Sequence, residues 1–308
     1  MGLKVLSLFD GISCGRVALE RANIKVDNYY SSEIDKYAIQ IADKNYSQDK
    51  GNRLGDVAKW REWNLPKIDL LIGGSPCQGF SFAGKQLNFE DIRSKLFFEY
   101  VDVLKHYKPK YFLLENVKMK QEYQDIISKC LGVEPIEINS ALLSAQNRVR
   151  LYWTNIPNIQ QPSDKKINLI DILEDATWIG PGATRGRKLN KATILGRRLN
   201  SDGHRQDYNK DIPITQCLEV REKNTNKSNC LTTVDKDNVL TPLEIGRHPN
   251  AFENHLPFRY YTVKECCRLQ TLPDNYVDGI SANKAKKCIG NGWTVDVIAH
   301  IFKGLKEK

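Results

Sequence analysis

Lys4-Val5-Leu6-Ser7-Leu8-Phe9-Asp10-Gly11-Ile12-Ser13-Cys14-Gly15 is a short apolar run that ends in a glycine-containing turn, and Val17, Ala18 and Leu19 behind it mark a helix. An apolar run of this length bounded by turn residues reads as a buried strand. The unit then recurs. Tyr29 to Glu33 is a second strand, followed by a helix marked by Tyr37, Ala38 and Ile41. Ile68 to Ile72 runs into Gly73-Gly74, Leu96 to Leu104 is helical in period, and Tyr111 to Leu114 is another apolar strand. Strands alternating with helices predict βαβ units, hence an α/β fold with a doubly wound, mostly parallel sheet.

After about Ile156 this pattern dissolves. The stretch from Pro157 to Pro257 is rich in Asn, Asp, Gly, Lys and Arg, with Gly180-Pro181-Gly182 and Asp202-Gly203 as turn signals. Arg185, Arg187, Lys188, Lys191, Arg197, Arg198 and Arg205 crowd into it. Helices return at Thr262 to Leu269 and from Thr294, where Val295, Ile298, Ile301, Phe302 and Leu305 repeat at helical spacing. The division expected is residues 1–157 with 284–308 as one unit, and 158–283 as a smaller, loop-rich unit.

With 308 residues, 41% of them apolar, the chain can bury a sizeable core. Lys and Arg outnumber Asp and Glu by 46 to 37, and a net charge of +9 favours a polyanionic partner. The first apolar run is too short to span a bilayer and no cleavable leader pattern precedes it, so a cytoplasmic protein without a membrane partner is expected. The eight cysteines form no CxxC pair and no cluster with histidine at zinc spacing. Neither a disulfide framework nor a metal is expected, and a cysteine that matters here matters as a thiolate.

Gly11 and Gly15 let the turn after the first strand approach a ligand, at a helix N-terminus. Glu33 ends the second strand, where a ribose is read in nucleoside-binding folds. Gly55-Asp56-Val57 places another acid near the expected end of a third strand, suited to an adenine amino group. Gly73-Gly74-Ser75-Pro76-Cys77-Gln78-Gly79-Phe80-Ser81 carries a strand into a tight loop that presents Cys77 at the carboxyl edge of the sheet. A free thiol is most often a buried apolar group, but Gly, Pro and polar neighbours make a poor apolar pocket, which favours a reactive cysteine. Glu115 follows Phe112-Leu113-Leu114, a partly desolvated place in which a carboxyl group can hold or deliver a proton. In Gln146-Asn147-Arg148-Val149-Arg150, alternation puts both arginines on one strand face.

Together, in order and spacing, these passages resemble the DNA cytosine-C5 methyltransferase family, from Leu3 to about Asn155 and again from Tyr260 to Leu305. Ser7-Leu8-Phe9-Asp10-Gly11-Ile12, Gly73-Gly74-Ser75-Pro76-Cys77 and Gly292-Trp293-Thr294-Val295 are closest in flavour to the animal de novo catalytic domains and to bacterial and phage enzymes like them. The resemblance implies S-adenosyl-L-methionine as cofactor, held by Phe9, Asp10, Gly11, Ile12, Gly15, Glu33, Ile34, Asp56, Val57, Pro76, Leu96, Asn291 and Trp293. It implies Cys77 as the nucleophile at C6 of a flipped-out cytosine, Glu115 at N3 and the amino group, and Arg150 at the carbonyl oxygen, with Arg148 and Gln146 supporting the loop. Gln78, Ser81, Gln146, Arg185, Arg187, Arg197, Arg198 and Arg205 are implied to meet double-stranded DNA. Arg268-Leu269-Gln270 resembles the segment that braces the recognition unit. Such enzymes can share their site with a cognate restriction endonuclease without needing it for activity.

Three other readings stand beside this one. A tRNA cytosine-C5 methyltransferase on the same fold would also be basic. A catalytically silent DNA-binding homologue predicts decay at the catalytic positions, yet Cys77, Glu115, Arg148 and Arg150 are present. An NAD-dependent enzyme would need a GxGxxG turn, which is missing.

Overall fold

The computed structural model describes residues 2–75, 92–174, 190–220 and 227–306. Its main sheet is built around β1 (Leu3–Leu8), whose Val5, Leu6 and Leu8 are fully buried. β1 lies parallel to β2 (Val26–Ser32) on one side and to β3 (Leu70–Gly73) on the other. β3 pairs in parallel with β4 (Tyr111–Val117). Beyond β4 the direction reverses: β6 (Val149–Thr154) runs antiparallel to both β4 and the edge strand β5 (Ile136–Asn139). The strand order is therefore β2-β1-β3-β4-β6-β5, the mostly parallel α/β sheet expected.

Period-two alternation sends neighbouring side chains to opposite faces. Val5, Leu70, Ile72 and Leu113 meet α1 (Cys14–Arg21), α2 (Lys36–Asn45) and α8 (Val295–Phe302). Leu6, Leu8, Leu71 and Leu114 meet α3 (Ile92–Tyr107) and α4 (Gln121–Leu131). Both faces are thus covered by helices, which is why the strands read as apolar runs. The third strand expected near Gly55 is absent. Arg53 makes only an isolated bridge with Ser31, and Asp56 caps a 3-10 turn (Val57–Glu62) by accepting the Ala58 N–H at 2.9 Å.

Where the sequence suggested loops, a second sheet forms. β7 (Asn190–Arg198), β8 (Ile214–Val220), β9 (Val239–Thr241), β10 (Gly246–His248) and β11 (Arg259–Tyr260) pair antiparallel in the order β10-β8-β7-β9-β11. Its core is small: Ala192, Ile194, Leu218, Val220, Val239 and Ala251. The short α5 (Leu169–Ile172) precedes it.

α6 (Val263–Leu269) starts on a capping box in which Thr262 and Glu265 satisfy each other's backbone N–H. Cys266, Cys267, Leu269, Leu272 and Tyr276 join the main core beside α7 (Ala282–Asn291), so this part of 158–283 packs with the larger unit. Among the described residues no helix is long and apolar enough to cross a membrane, and no cluster of His, Cys, Asp or Glu could hold a metal ion.

Candidate active site

The turn after β1 is built from residues in unusual backbone conformations. Phe9, Gly11 and Ser13 have φ of 56°, 58° and 59°, and left-handed residues other than glycine are uncommon outside functional turns. Asp10 holds this shape from inside. Its carboxylate accepts Ser7 Oγ at 2.6 Å, Ser13 Oγ at 2.5 Å, Tyr29 Oη at 2.6 Å and Arg53 Nη1 at 3.3 Å. Burial pushes the Asp10 pKa up, against the pull of those donors. Its side chain is fully buried, so Asp10, expected at the cofactor, shapes the turn and offers a ligand only backbone.

Glu33 stands over the same turn. Its Oε2 accepts the Gly11 N–H at 2.8 Å, while Oε1 accepts those of Ile34 and Asp35 at 2.8 Å each. Ile34 beside it is 74% exposed, an apolar side chain that none of the described residues covers. A methyl on Gly15 would lie 2.4 Å from Ile72 Cδ1, 3.2 Å from Tyr29 Oη and 3.4 Å from Trp293 Cζ3, so any side chain there would have to displace the end of Ile72. Ile12 and Val57 are buried, Leu96 is half-buried, and Asp56 and Asn291 are exposed. A glycine turn, a strand-end acid and an exposed apolar group make a fitting cradle for a nucleoside.

The second half of the site begins where β3 ends. Glu115, 9% exposed on β4, has two partners: Arg150 Nε lies 3.0 Å from Oε1 as an ion pair, and Trp293 Nε1 donates to Oε2 at 3.0 Å. Asn116 Nδ2 donates to the buried Ser75 Oγ at 3.4 Å, tying β4 to the end of the described strand-end loop. Burial is the largest single influence on Arg150 and works against its charge, but Glu115, Cys230 and Tyr152 together outweigh it and the net shift is upward. Tyr152, opposite Glu115 in the ladder, is pushed up by burial and by that same carboxylate. Cys77, Pro76, Gln78 and Ser81 follow Ser75 and lie outside the described residues.

The two arginines do not share one task, as a common strand face would have had it. β6 begins at Val149, and Arg148 precedes it, 4% exposed. Its guanidinium donates to Leu231 O at 2.9 Å, Gly292 O at 2.9 Å and Gly290 O at 3.3 Å, and approaches Cys230 Sγ at 3.4 Å. Arg148 is a brace, and Arg150 alone reaches the acid. Gln146, expected to support the loop and also to meet DNA, is fully buried and does the first. Its Nε2 donates to Leu269 O at 2.5 Å and Gln270 Oε1 at 2.8 Å, and its Oε1 accepts the Leu231 N–H at 3.1 Å. Backbone pairing continues the seam: Asn147 N–H donates to Ser228 O at 2.9 Å and Ser228 N–H to Ala145 O at 2.6 Å. Arg268, part of the expected brace, donates to Ile172 O at 2.9 Å and pairs with Asp274.

Of the arginines expected to read DNA, Arg185 and Arg187 lie outside the described residues. Arg197 is 11% exposed and sits on Glu219, with Nε 2.7 Å from Oε1. Arg198 Nη1 donates to Ile212 O at 2.9 Å. Arg205 is the exposed one, paired with Asp207 on the long connection between β7 and β8.

Sequence reasoning placed Trp293 at the cofactor and missed its bond to Glu115. It also missed Tyr29, Arg53, Cys230 and Thr294, whose roles arise only when distant segments meet.

A family profile described as C-5 cytosine-specific DNA methylase matches residues 3–129 and 139–307. The type II methyltransferase M1.ScrFI of Lactococcus lactis subsp. cremoris is 30% identical over 335 aligned positions, which cover 99% of this chain and 78% of that protein. The type II methyltransferase M.BanI of Aneurinibacillus aneurinilyticus is 37% identical over 417 positions, covering 99% of this chain and 96% of that one. The solved Dnmt2 methyltransferase of S. pombe shares the fold, with a TM-score of 0.65 at 19% identity, over 99% of this chain and 100% of that one.

Proposed function

The chain belongs to the C-5 cytosine-specific DNA methylase family and is a DNA cytosine-C5 methyltransferase, and from that premise we propose that it methylates a flipped-out cytosine within a specific duplex sequence through a covalent bond from Cys77 to C6. The observation that carries this reading is the doubly held Glu115 carboxylate, beside the strand end that leads to Cys77 and next to the glycine turn. When bound at Phe9, Gly11, Glu33 and Ile34, S-adenosyl-L-methionine supplies an electrophilic methyl group on a sulfonium.

The protein's own groups do the rest. C5 of cytosine is a weak nucleophile until a thiolate adds to C6 and turns the ring into an enamine. Glu115, carrying a proton, gives it to or shares it with N3 and accepts from the exocyclic amino group. The charge that builds on the ring is thereby neutralised as the C6–S bond forms, and the proton returns to Glu115 when Cys77 leaves. Arg150, already beside Glu115, holds the base through its carbonyl oxygen. After C5 has taken the methyl group, a base removes the C5 proton, the electron pair restores the C5–C6 double bond, and Cys77 leaves as thiolate. A cytosine stacked in a duplex hides C5 and C6, so the base must be extruded. Residues 158–283 are the proposed recognition unit that holds the opened duplex, with Arg205 and the undescribed Arg185 and Arg187 as base-reading candidates. The setting is the interior of a bacterial or phage-infected cell, with a restriction endonuclease as an optional companion.

Bisulfite sequencing of DNA from cells that express the chain tests the reading. Protected cytosines in one sequence context are expected, with protection lost in Cys77→Ser. Uniform conversion, or protection retained by Cys77→Ser, removes the proposed chemistry.

A further inference from the structure

Trp293 touches both halves of the site with one rigid side chain. The Cζ3 edge of its indole faces Gly15 on the cofactor turn, 3.4 Å from where a methyl would be, and its Nε1 lies 2.9 Å from the corresponding point on Gly74. The same nitrogen donates to Glu115 Oε2 at 3.0 Å. The ring therefore fills the gap between the turn after β1 and the strand end that leads to Cys77, and its only polar atom is spent on the acid.

The backbone that carries it is pinned on both sides. Gly292 O accepts Arg148 Nη2 and Gln270 Nε2, each at 2.9 Å. Thr294 Oγ1 donates to Gln270 Oε1 at 2.9 Å and accepts from Ser140 Oγ at 2.9 Å. The terminal torsion of a glutamate is soft and two-fold. Arg150 lies beside Oε1 as an ion pair, which holds the charge but does not set the plane of the carboxylate. Among the described residues, the directional bond that sets that plane is the indole N–H on Oε2. Each carboxylate oxygen keeps a second lone-pair direction for a substrate.

We propose that Trp293 is a positioning residue for Glu115: its indole N–H sets the carboxylate in the orientation that meets cytosine N3, and its ring ties that orientation to the cofactor turn. The proposal rests on the methyltransferase reading and adds to it a duty that cofactor packing alone does not require. Phenylalanine keeps the ring and removes the donor, and histidine restores an N–H on a smaller ring.

The test compares wild type, Trp293→Phe and Trp293→His in steady-state methylation, in affinity for S-adenosylhomocysteine, and in exchange of the cytosine C5 hydrogen of duplex DNA with solvent without methyl donor. Exchange needs Cys77 addition and Glu115 but no methyl transfer, so it separates positioning from cofactor binding. Rates are taken per folded enzyme, with melts run alongside. In Trp293→Phe, kcat and exchange are expected to fall together by about ten- to hundredfold, the loss of one donor to a charged group, with cofactor affinity within about threefold. Trp293→His is expected to recover much of the exchange. Wild-type exchange in Trp293→Phe, a loss confined to KM for the donor, or no recovery in Trp293→His overturns the proposal. A wild type that neither exchanges nor methylates overturns the methyltransferase reading instead.

Discussion

Gly74 lies so near Glu115 that a methyl on its Cα would be 3.1 Å from Oε2. The same methyl would meet the Trp293 indole nitrogen at 2.9 Å. Gly74→Ala therefore pushes the acid and its donor apart without disturbing the buried strand behind them. Both groups must give by a few tenths of an ångström, well short of the ~1 Å misplacement that costs about a hundredfold in rate. A fall in kcat of about tenfold or less is expected, with a melting temperature close to wild type. Unchanged kcat would show that the strand end absorbs the methyl.

Arg148 and Arg150 separate stability from chemistry. Arg148→Ala strips donors from three buried carbonyls, at Leu231, Gly290 and Gly292, and is expected to destabilise by about 2–4 kcal/mol in urea unfolding. Arg150→Ala leaves Glu115 with one holder. Its kcat is expected to drop roughly a hundredfold with a smaller stability loss. Equal stability losses in the two variants contradict this division.

Arg259 and Glu265 form a two-bond pair at 2.8 Å each, 4% and 0% exposed by side chain. Arg259→Met leaves a carboxylate buried without its cation, an expected loss of about 3–5 kcal/mol in the unfolding midpoint analysis. A loss under about 1 kcal/mol would mean that the Thr262 and Glu174 N–H donors suffice.

Burial raises the thiols of Cys266 and Cys267 to about 12 and that of Cys288 to about 11, from 9.0. The folded state thus binds these protons more tightly than the unfolded chain. The stability this contributes is whole below pH 9, and fades between pH 9 and about 12. Melting temperature should fall through that window, and less steeply in Cys266→Ala. Mass mapping after iodoacetamide at pH 8 should leave these thiols unlabelled in the native protein; labelling without unfolding contradicts the burial.

Arg197 and Arg205 should behave differently on DNA. Arg197 is bound to Glu219 inside the smaller sheet, so Arg197→Ala is expected to weaken binding to all sequences alike as the sheet loosens. Arg205 is exposed, and Arg205→Ala is expected to cost about 1–3 kcal/mol at one base position in selections over randomised flanks. A uniform loss for Arg205→Ala assigns it to phosphate.

The main sheet was legible because its strands are buried on both faces, leaving plain runs such as Lys4 to Leu8 and Tyr111 to Leu114. The smaller sheet was not. β7 alternates Ala192 and Ile194 with Lys191 and Thr193 among many polar residues, and its partners β8 and β9 are distant in sequence. The acid Glu115 and the turn at Gly11 were readable from local context. The supporting place of Gln146 and Arg148 was readable, but their partners were not, since the carbonyls of Leu269 and Leu231 that they hold are distant in sequence.

The seam between Ala145–Asn147 and Ser228 is made by main-chain groups, in a parallel bridge of Gln146 with Ser228. Backbone pairing is indifferent to the sequence on either side of it. The chain leaves the main sheet after β6 and is stitched back beside the residues that lead into β6, before β9, β10 and β11 complete the smaller sheet. The smaller sheet is thereby spliced to the main one in mid-course, through atoms that every residue type carries, so side chains on both sides of the splice are free to change without undoing it.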